Sequence, residues 1–210
     1  MKVIAIDGPA GSGKSTVAQA LAARLNLHYL DTGAMYRAVA FAVIQQQINI
    51  HDVEKVIQTA KSLDLQLTQE SCVVNGIEAT EEIRGQEVTL LVSQVAAVPE
   101  VRAEMVKRQR TWAEERNGGV MEGRDIGSVV FPDASLKIYL TASEEVRAQR
   151  RAAEIEEGDV ASIAADIERR DTVDTQRSAS PLMEAEDAIV VDTSEMTLEQ
   201  VVDHVIELIP

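Results

Sequence analysis

The sequence has few of the features that mark secreted, membrane-bound or zinc-binding proteins. Its one cysteine, Cys72, excludes an internal disulfide and is expected to fill space in a strand, which suits a reducing cytoplasm. No apolar run approaches the roughly 20 residues that span a bilayer, and no basic leader precedes the first apolar segment. The histidines, His28, His51 and His204, match no zinc-binding spacing. We therefore expect a cytoplasmic protein without a membrane segment.

Positive charge is scarce as well. The chain has 20 Lys and Arg residues against 35 Asp and Glu residues, which gives a net charge of −15. Nucleic acids and anionic membranes require a basic surface, so neither is an expected partner. The arginines are nevertheless clustered, near positions 102–110, 147–151 and 169–177. Clustered arginines in an acidic chain predict a local site for an anionic ligand.

One stretch near the N-terminus carries the strongest functional signal. A short apolar segment, residues 2–6, leads into GPAGSGKST, which fills every position of the phosphate-binding pattern G-x-x-x-x-G-K-[ST]. Glycines let backbone N–H groups converge on one anion, and the helix that follows points its positive end at the same place. The predicted ATP-binding residues are Gly8, Pro9, Ala10, Gly11, Ser12, Gly13, Lys14, Ser15 and Thr16. Lys14 is expected to reach the β- and γ-phosphates, and the Ser15 hydroxyl to ligate Mg²⁺. The alternative is a simple glycine turn between a strand and a helix.

The rest of the chain alternates short apolar strands with helices. This pattern predicts an α/β fold of the P-loop NTPase type, with a five-stranded parallel sheet covered by helices on both faces. An antiparallel piece interrupts it, because residues 63–67 alternate in polarity and Asn75-Gly76 is a strong hairpin signal. The second strand is predicted at 27–30, and the last strand, at 187–192, is predicted to be buried. We expect a single domain that carries a small insertion with an antiparallel β piece.

Two further segments follow predicted strands, DTGAMYR at 31–37 and EGRDIG at 122–127. Ligands of parallel α/β sheets bind beyond the carboxyl ends of the strands, so both segments should face the same crevice as the phosphate loop. Together they supply the candidate ligands Thr32, Tyr36, Arg37, Arg124 and Asp125. The alternatives are a helix start capped by Asp31 and a solvated salt bridge at the second segment.

Arginines also flank a polar stretch from Glu154 to Ser162. Three precede it, three follow it, and in order they are Arg147, Arg150, Arg151, Arg169, Arg170 and Arg177. This arrangement suits a mobile helical lid that brings guanidinium groups onto the transferring phosphoryl group and expels water. Arg147 and Arg151 would share one helix face. The alternative is a pair of solvated helix faces.

In their order and spacing, GPAGSGKST, LDTGAMYRA, SQVAAVPEVR, MEGRDIGSVVFPDASLKIYLTAS and RRDTVDTQR resemble the bacterial cytidylate kinases, over essentially the whole chain. The resemblance implies a monomer that transfers a phosphoryl group from ATP to CMP or dCMP with Mg²⁺. It also implies one kinase domain over 1–210, with a monophosphate-binding insertion at about 35–98 and a lid at about 147–171.

The same resemblance implies roles for individual residues. The residues expected around the acceptor nucleotide are Thr32, Arg102, Asp125 and Arg177 for the pyrimidine, Ser93, Arg170 and Asp174 for the sugar, and Arg37 and Arg124 for the α-phosphate. The expected catalytic residues are Lys14, Arg124, Arg147 and Arg151. Thr32 stands where some members carry serine, and Gln149 interrupts the lid arginines.

Other classes fit less well. A regulatory GTPase would need an N-K-x-D guanine motif, which the sequence lacks. A nucleotide-binding module without catalysis would not need Lys14 or the lid arginines. Among kinases, the remaining alternatives are a broader UMP/CMP kinase and another small-molecule P-loop kinase.

Overall fold

The structure is a computed structural model that describes residues 1–154 and 159–210. Residues 155–158, within the predicted lid segment, lie outside the described part. The chain divides into two compact units, one formed by 1–29 with 113–210 and the other by 30–112. Each unit is described by itself below.

The described strands are β1 (Lys2–Asp7), β2 (Tyr29–Asp31), β3 (Leu65–Leu67), β4 (Cys72–Val74), β5 (Ile77–Glu78), β6 (Gly118–Gly123), β7 (Leu136–Thr141) and β8 (Ile189–Asp192). The described α-helices are α1 (Lys14–Leu25), α2 (Thr32–Gln45), α3 (Val53–Ser62), α4 (Gln86–Ala97), α5 (Pro99–Glu115), α6 (Glu144–Glu154), α7 (Val160–Gln176) and α8 (Leu198–Glu207). A short 3₁₀ turn spans Glu82–Arg84, and a π-helical turn spans Ile126–Val130. No described helix is long and apolar enough to cross a bilayer.

A five-stranded sheet in the order β2-β6-β1-β7-β8 forms the centre of the fold. β1 pairs in parallel with β6 and β7, and β7 pairs in parallel with β8. The apolar side chains of the central strands are fully buried, as at Ile4, Ile6 and Leu140. Asp7, the last residue of β1, lies opposite Gly123 of β6 and Tyr139 of β7, so these strands end at one edge of the sheet. The predicted α/β fold with a parallel sheet is confirmed.

Two strands differ from the sequence-based expectation. The last strand is an edge strand that pairs with β7, and Ile189, Val190 and Asp192 are exposed while Val191 is buried. The expectation of a fully buried last strand was therefore wrong, because apolar composition does not distinguish an edge from a centre. The second strand begins at Tyr29 and not at Leu27, since the Leu27 N–H still bonds to the Ala22 carbonyl at the end of α1.

The second unit contains the predicted antiparallel piece. β4 pairs antiparallel with both β3 and β5, and Asn75 and Gly76 both have positive φ, as a tight hairpin requires. Cys72 is buried in β4, and burial raises the pKa of its thiol to about 11, so it acts as the predicted apolar filler. The Asp31 carboxylate accepts from the Ala34 N–H at 2.9 Å and caps α2, which confirms the helix start.

Candidate active site

Glycines allow the backbone of the phosphate loop, between β1 and α1, to pack closely against neighbouring elements. Gly8 has φ of 151°, and a Cβ there would lie 2.0 Å from the Leu140 carbonyl oxygen. Gly11 has φ of 73°, and a Cβ there would lie 2.7 Å from the Arg147 carbonyl oxygen. A side chain at either position would collide with the backbone of β7 or α6. The loop is therefore packed between these elements in a fixed conformation.

Lys14 lies inside this loop. Its side chain is buried, and Nζ donates to the Pro9 carbonyl at 2.8 Å. Burial and repulsion from Arg124 together lower the pKa of Lys14 to about 7, against the attraction of Glu122. A buried lysine with this pKa is stabilised in its charged form when an anion binds beside it.

Glu122 connects the loop to β6. Its carboxylate accepts from the Ser15 hydroxyl at 2.9 Å and from the Tyr29 hydroxyl at 2.5 Å. A hydroxyl beside a carboxylate offers the oxygen ligands that Mg²⁺ prefers. Within residues 1–154 and 159–210, no group of three or more His, Cys, Asp or Glu residues could hold a metal by itself. The donor set fits an ion that also takes oxygens from phosphates and water.

A group of arginines surrounds the Asp174 carboxylate on α7. Arg124 Nε donates to Asp174 Oδ2 at 3.0 Å, and Arg177 Nη1 donates to Oδ1 at 3.4 Å. Burial disfavours charge on Arg124, but Asp174 and Asp171 outweigh burial and raise the pKa of the guanidinium. Burial and repulsion from Arg124 and Arg151 together lower the pKa of Arg170 to about 10. The three arginines outnumber the carboxylates of Asp174 and Asp171, so the cluster carries net positive charge at neutral pH.

Arg147 and Asp171 bind both backbone groups of one phosphate-loop residue. The Ala10 N–H donates to Asp171 Oδ1 at 2.9 Å, and Arg147 Nη1 donates to the Ala10 carbonyl at 3.1 Å. Arg147 and Asp171 also form an ion pair with each other. Helices α6 and α7, which carry the predicted lid arginines, therefore contact the loop directly.

Arg150 performs a different task from its neighbours. Its Nη1 donates to Thr193 Oγ1 at 2.8 Å and to the Ser12 carbonyl at 3.3 Å, and its Nη2 donates to the Thr193 carbonyl at 2.8 Å. It thereby ties α6 to the phosphate loop and to the segment after β8. Arg151 lies elsewhere on the helix, close enough to Arg170 to affect its pKa.

The remaining candidate residues belong to the second unit. Arg37 donates to the Ile83 carbonyl at 3.0 Å and to Thr89 Oγ1 at 2.9 Å. Arg102 is buried, donates to the Ala96 carbonyl at 3.1 Å, and lies 5.1 Å from the centre of the Tyr36 ring. Both guanidinium groups are held in place by these contacts within the unit. Thr32 and Ser93 are buried in α2 and α4 of the same unit.

Three carboxylates at the site were missed by sequence reasoning, namely Asp7, Glu122 and Asp171. Asp7 accepts backbone N–H bonds from Ile126 and Gly127, immediately after the candidate residue Asp125, which is itself buried. Each missed residue adjoins a motif that was singled out, at the end of β1, at the end of β6 and beside Arg170. That adjacency is the signal that could have identified them.

Comparison with known proteins gives consistent matches. The sequence profile described as "Cytidylate kinase" matches residues 4–210. The chain is 48% identical to the "Cytidylate kinase" of Corynebacterium efficiens over 98% of this chain and 93% of that protein. It is 49% identical to the "Cytidylate kinase" of Desulforamulus reducens over 98% of this chain and 95% of that protein.

A solved structure supports the fold. The chain resembles shikimate kinase from Acinetobacter baumannii with a TM-score of 0.51 and 13% identity, over 100% of this chain and 93% of that one. At this identity the likeness speaks for the architecture and not for the substrate.

Proposed function

The chain belongs to the cytidylate kinase family, and on that basis we propose how its residues transfer a phosphoryl group from ATP to CMP or dCMP. The enzyme is a nucleoside monophosphate kinase whose products are CDP or dCDP and ADP. One observation carries the assignment of roles: a complete phosphate loop with a buried Lys14 lies in the same unit as the arginines gathered on Asp174. The loop and Lys14 would bind the phosphates of the donor, and the arginines would bind a second anion, the phosphate of the acceptor.

The donor is held by the phosphate loop. The ammonium of Lys14 and backbone N–H groups of the loop at 8–16, other than Pro9, which has none, and Ala10, which donates to Asp171, would bind the phosphates of ATP. The start of α1 adds its positive end. Ser15 would ligate Mg²⁺, with Glu122 beside it as a hydrogen-bond acceptor. When bound, Mg²⁺ would neutralise charge on the donor phosphates.

The acceptor is held by arginines. Arg124 is kept charged by Asp174 and is proposed to bind the α-phosphate of CMP, as is Arg37. The acceptor phosphate oxygen is already anionic and needs no general base, so the residues act by positioning and by charge neutralisation. Arg147 and Arg151 on α6 are proposed to neutralise the transferring phosphoryl group, and closure of a lid at about 147–171 would exclude water.

Polar side chains are proposed to recognise the base and the sugar by hydrogen bonds. A carboxylate accepts from the cytosine amino group and repels the carbonyl that uracil carries at the same position. An arginine donates to N3 of cytosine, whereas in uracil it would face another donor, the N3–H group. Asp125, Thr32, Arg102 and Arg177 are proposed to supply these groups, while Asp174, Arg170 and Ser93 are proposed to contact the sugar. The protein is proposed to work as a cytoplasmic monomer on small nucleotides, with no nucleic acid or membrane partner.

The experiment that tests these roles compares CMP with UMP in wild type and Asp125→Ala. Wild type is expected to prefer CMP by a factor of roughly 10⁴, because UMP leaves buried polar groups unpaired. Asp125→Ala is expected to lose most kcat/KM on CMP but far less on UMP, so that the ratio narrows. A parallel fall on both nucleotides would instead make Asp125 a general structural or phosphate-site residue. A similar activity on both in wild type would point to a broader UMP/CMP kinase.

A further inference from the structure

Asp7 is a buried carboxylate that the roles above leave unused. It ends β1, is 5% exposed, and its two oxygens accept from consecutive backbone N–H groups. Oδ1 accepts from Ile126 at 2.8 Å and Oδ2 from Gly127 at 2.7 Å. Among residues 1–154 and 159–210, these two amides are the hydrogen-bond partners of Asp7.

These two amides begin the turn that directly follows the acceptor-binding pair. Arg124 and Asp125 lie between the end of β6 and Ile126. From Asp125 onward, the turn is closed by its own backbone, since the Asp125 carbonyl accepts from Val129 at 2.9 Å and Val130 at 3.1 Å. β6 fixes the chain on one side of Arg124 and Asp125, and Asp7 fixes it on the other. The backbone of the pair is thereby held at both ends.

Gly127 shows how closely this contact is fitted. A Cβ there would lie 3.1 Å from Lys137 Cδ and 3.4 Å from Asp7 Oδ2. The residue is enclosed between the Lys137 stem and the Asp7 carboxylate. A methyl group at this position would crowd the Lys137 stem and the Asp7 carboxylate without altering any charge.

The charge of Asp7 is needed for this contact. An ionised carboxylate accepts from both N–H groups, whereas an amide accepts with one atom and presents its NH₂ to the other N–H. Burial and the nearby Asp125 raise the pKa of Asp7 to about 6, against the two amides and Lys14, which lower it, so the group is ionised at neutral pH. Burying this charge opposes folding, so the contact is not explained by stability alone.

We propose that Asp7 is a positioning residue for the acceptor nucleotide. Through the N–H groups of Ile126 and Gly127 it sets the backbone that carries Arg124 and Asp125. Asp7 itself need not touch either substrate. This inference rests on the proposed acceptor roles of Arg124 and Asp125.

The test is Asp7→Asn, which keeps the size of the side chain and removes the ability to accept from both amides. We expect KM for CMP to rise by about tenfold or more, while KM for ATP changes by less than about twofold. Asp203→Asn, which removes an exposed carboxylate paired with Arg24, is the matched control and should leave both constants unchanged. Gly127→Ala displaces the same turn from the other side and should give the same split between the two substrates.

The outcomes are distinguishable. The proposal is overturned if the fold increase in KM for CMP caused by Asp7→Asn is less than about five times the fold increase in KM for ATP. Asp7 would then act on the adjoining phosphate loop or have no effect on substrate binding. Loss of folding in both Asp7→Asn and Gly127→Ala, judged by circular dichroism, would also overturn it. Failure of the acceptor roles themselves would appear separately, as unchanged CMP kinetics in Asp125→Ala.

Discussion

At the scale of single residues, burial of Lys14 links its charge to ATP. The group is enclosed beside Arg124, and these surroundings lower the pKa of Lys14 to about 7. A pKa below the ordinary value of a lysine means that the free protein loses this proton as the pH rises above about 7. Donor phosphates supply the opposite charge and raise the pKa again, so that ATP binding and protonation of Lys14 are coupled.

ATP binding at about pH 8.5 should therefore take up a fraction of a proton. Calorimetric titrations in two buffers of different ionisation enthalpy measure this uptake directly. Lys14→Ala should abolish it and lower kcat by on the order of a hundredfold. Lys107→Ala, at an exposed position of α5, is the control and should change neither quantity. A wild-type binding enthalpy that is independent of the buffer would contradict the coupling.

At the scale of elements, α6, a helix of the proposed lid, contains arginines of distinct kinds. Arg147 joins Asp171 in holding Ala10, and Arg150 holds Ser12 and Thr193. One helix, α6, therefore supports the phosphate loop at two places. An arginine that supports the loop should affect ATP, and one that meets the transferring group should affect the chemical step.

Arg147→Ala and Arg151→Ala are expected to lower kcat by roughly tenfold or more while KM for CMP changes little, because they would remove charge felt by the transferring phosphoryl group. Arg147→Ala should also raise KM for ATP, since Arg147 holds Ala10 of the loop. Arg150→Ala is expected to act mainly through a higher KM for ATP. Arg169→Ala is the control, since Arg169 is exposed and pairs with Asp166 on its own helix. The measurement is steady-state kinetics with each substrate varied in turn. Equal effects of Arg151→Ala and Arg169→Ala would remove Arg151 from the catalytic residues.

The elements also show what the sequence could predict. The phosphate loop, the cap at Asp31 and the hairpin at Asn75-Gly76 are local, so residue type and spacing were enough to predict them. The contacts of Asp7 and Asp171 were not predicted, because they join residues 119 and 161 positions apart and depend on how the elements pack. The exposure of β8 was missed for the same reason, since its place at the edge is a property of the whole sheet.

At the scale of the whole molecule, the net charge of −15 contrasts with the local charge of the site. The surface as a whole repels polyanions such as nucleic acids, while Lys14, Arg124, Arg170 and Arg177 concentrate positive charge in one unit. On the proposed roles, nucleotide binding is thereby confined to the phosphate loop and the neighbouring arginines.

The most direct test of the assigned activity is ADP release by the purified protein with ATP, Mg²⁺ and each of CMP, dCMP, UMP and AMP. We expect rapid turnover with CMP and dCMP and a kcat/KM for UMP and AMP lower by a factor of roughly 10⁴, because a buried polar site rejects a base that leaves its groups unpaired. Lys14→Ala serves as the control in the same assay, and its turnover of CMP should be lower by on the order of a hundredfold. Comparable or greater kcat/KM with UMP or AMP would contradict the assignment of this protein as a kinase specific for cytidine monophosphates.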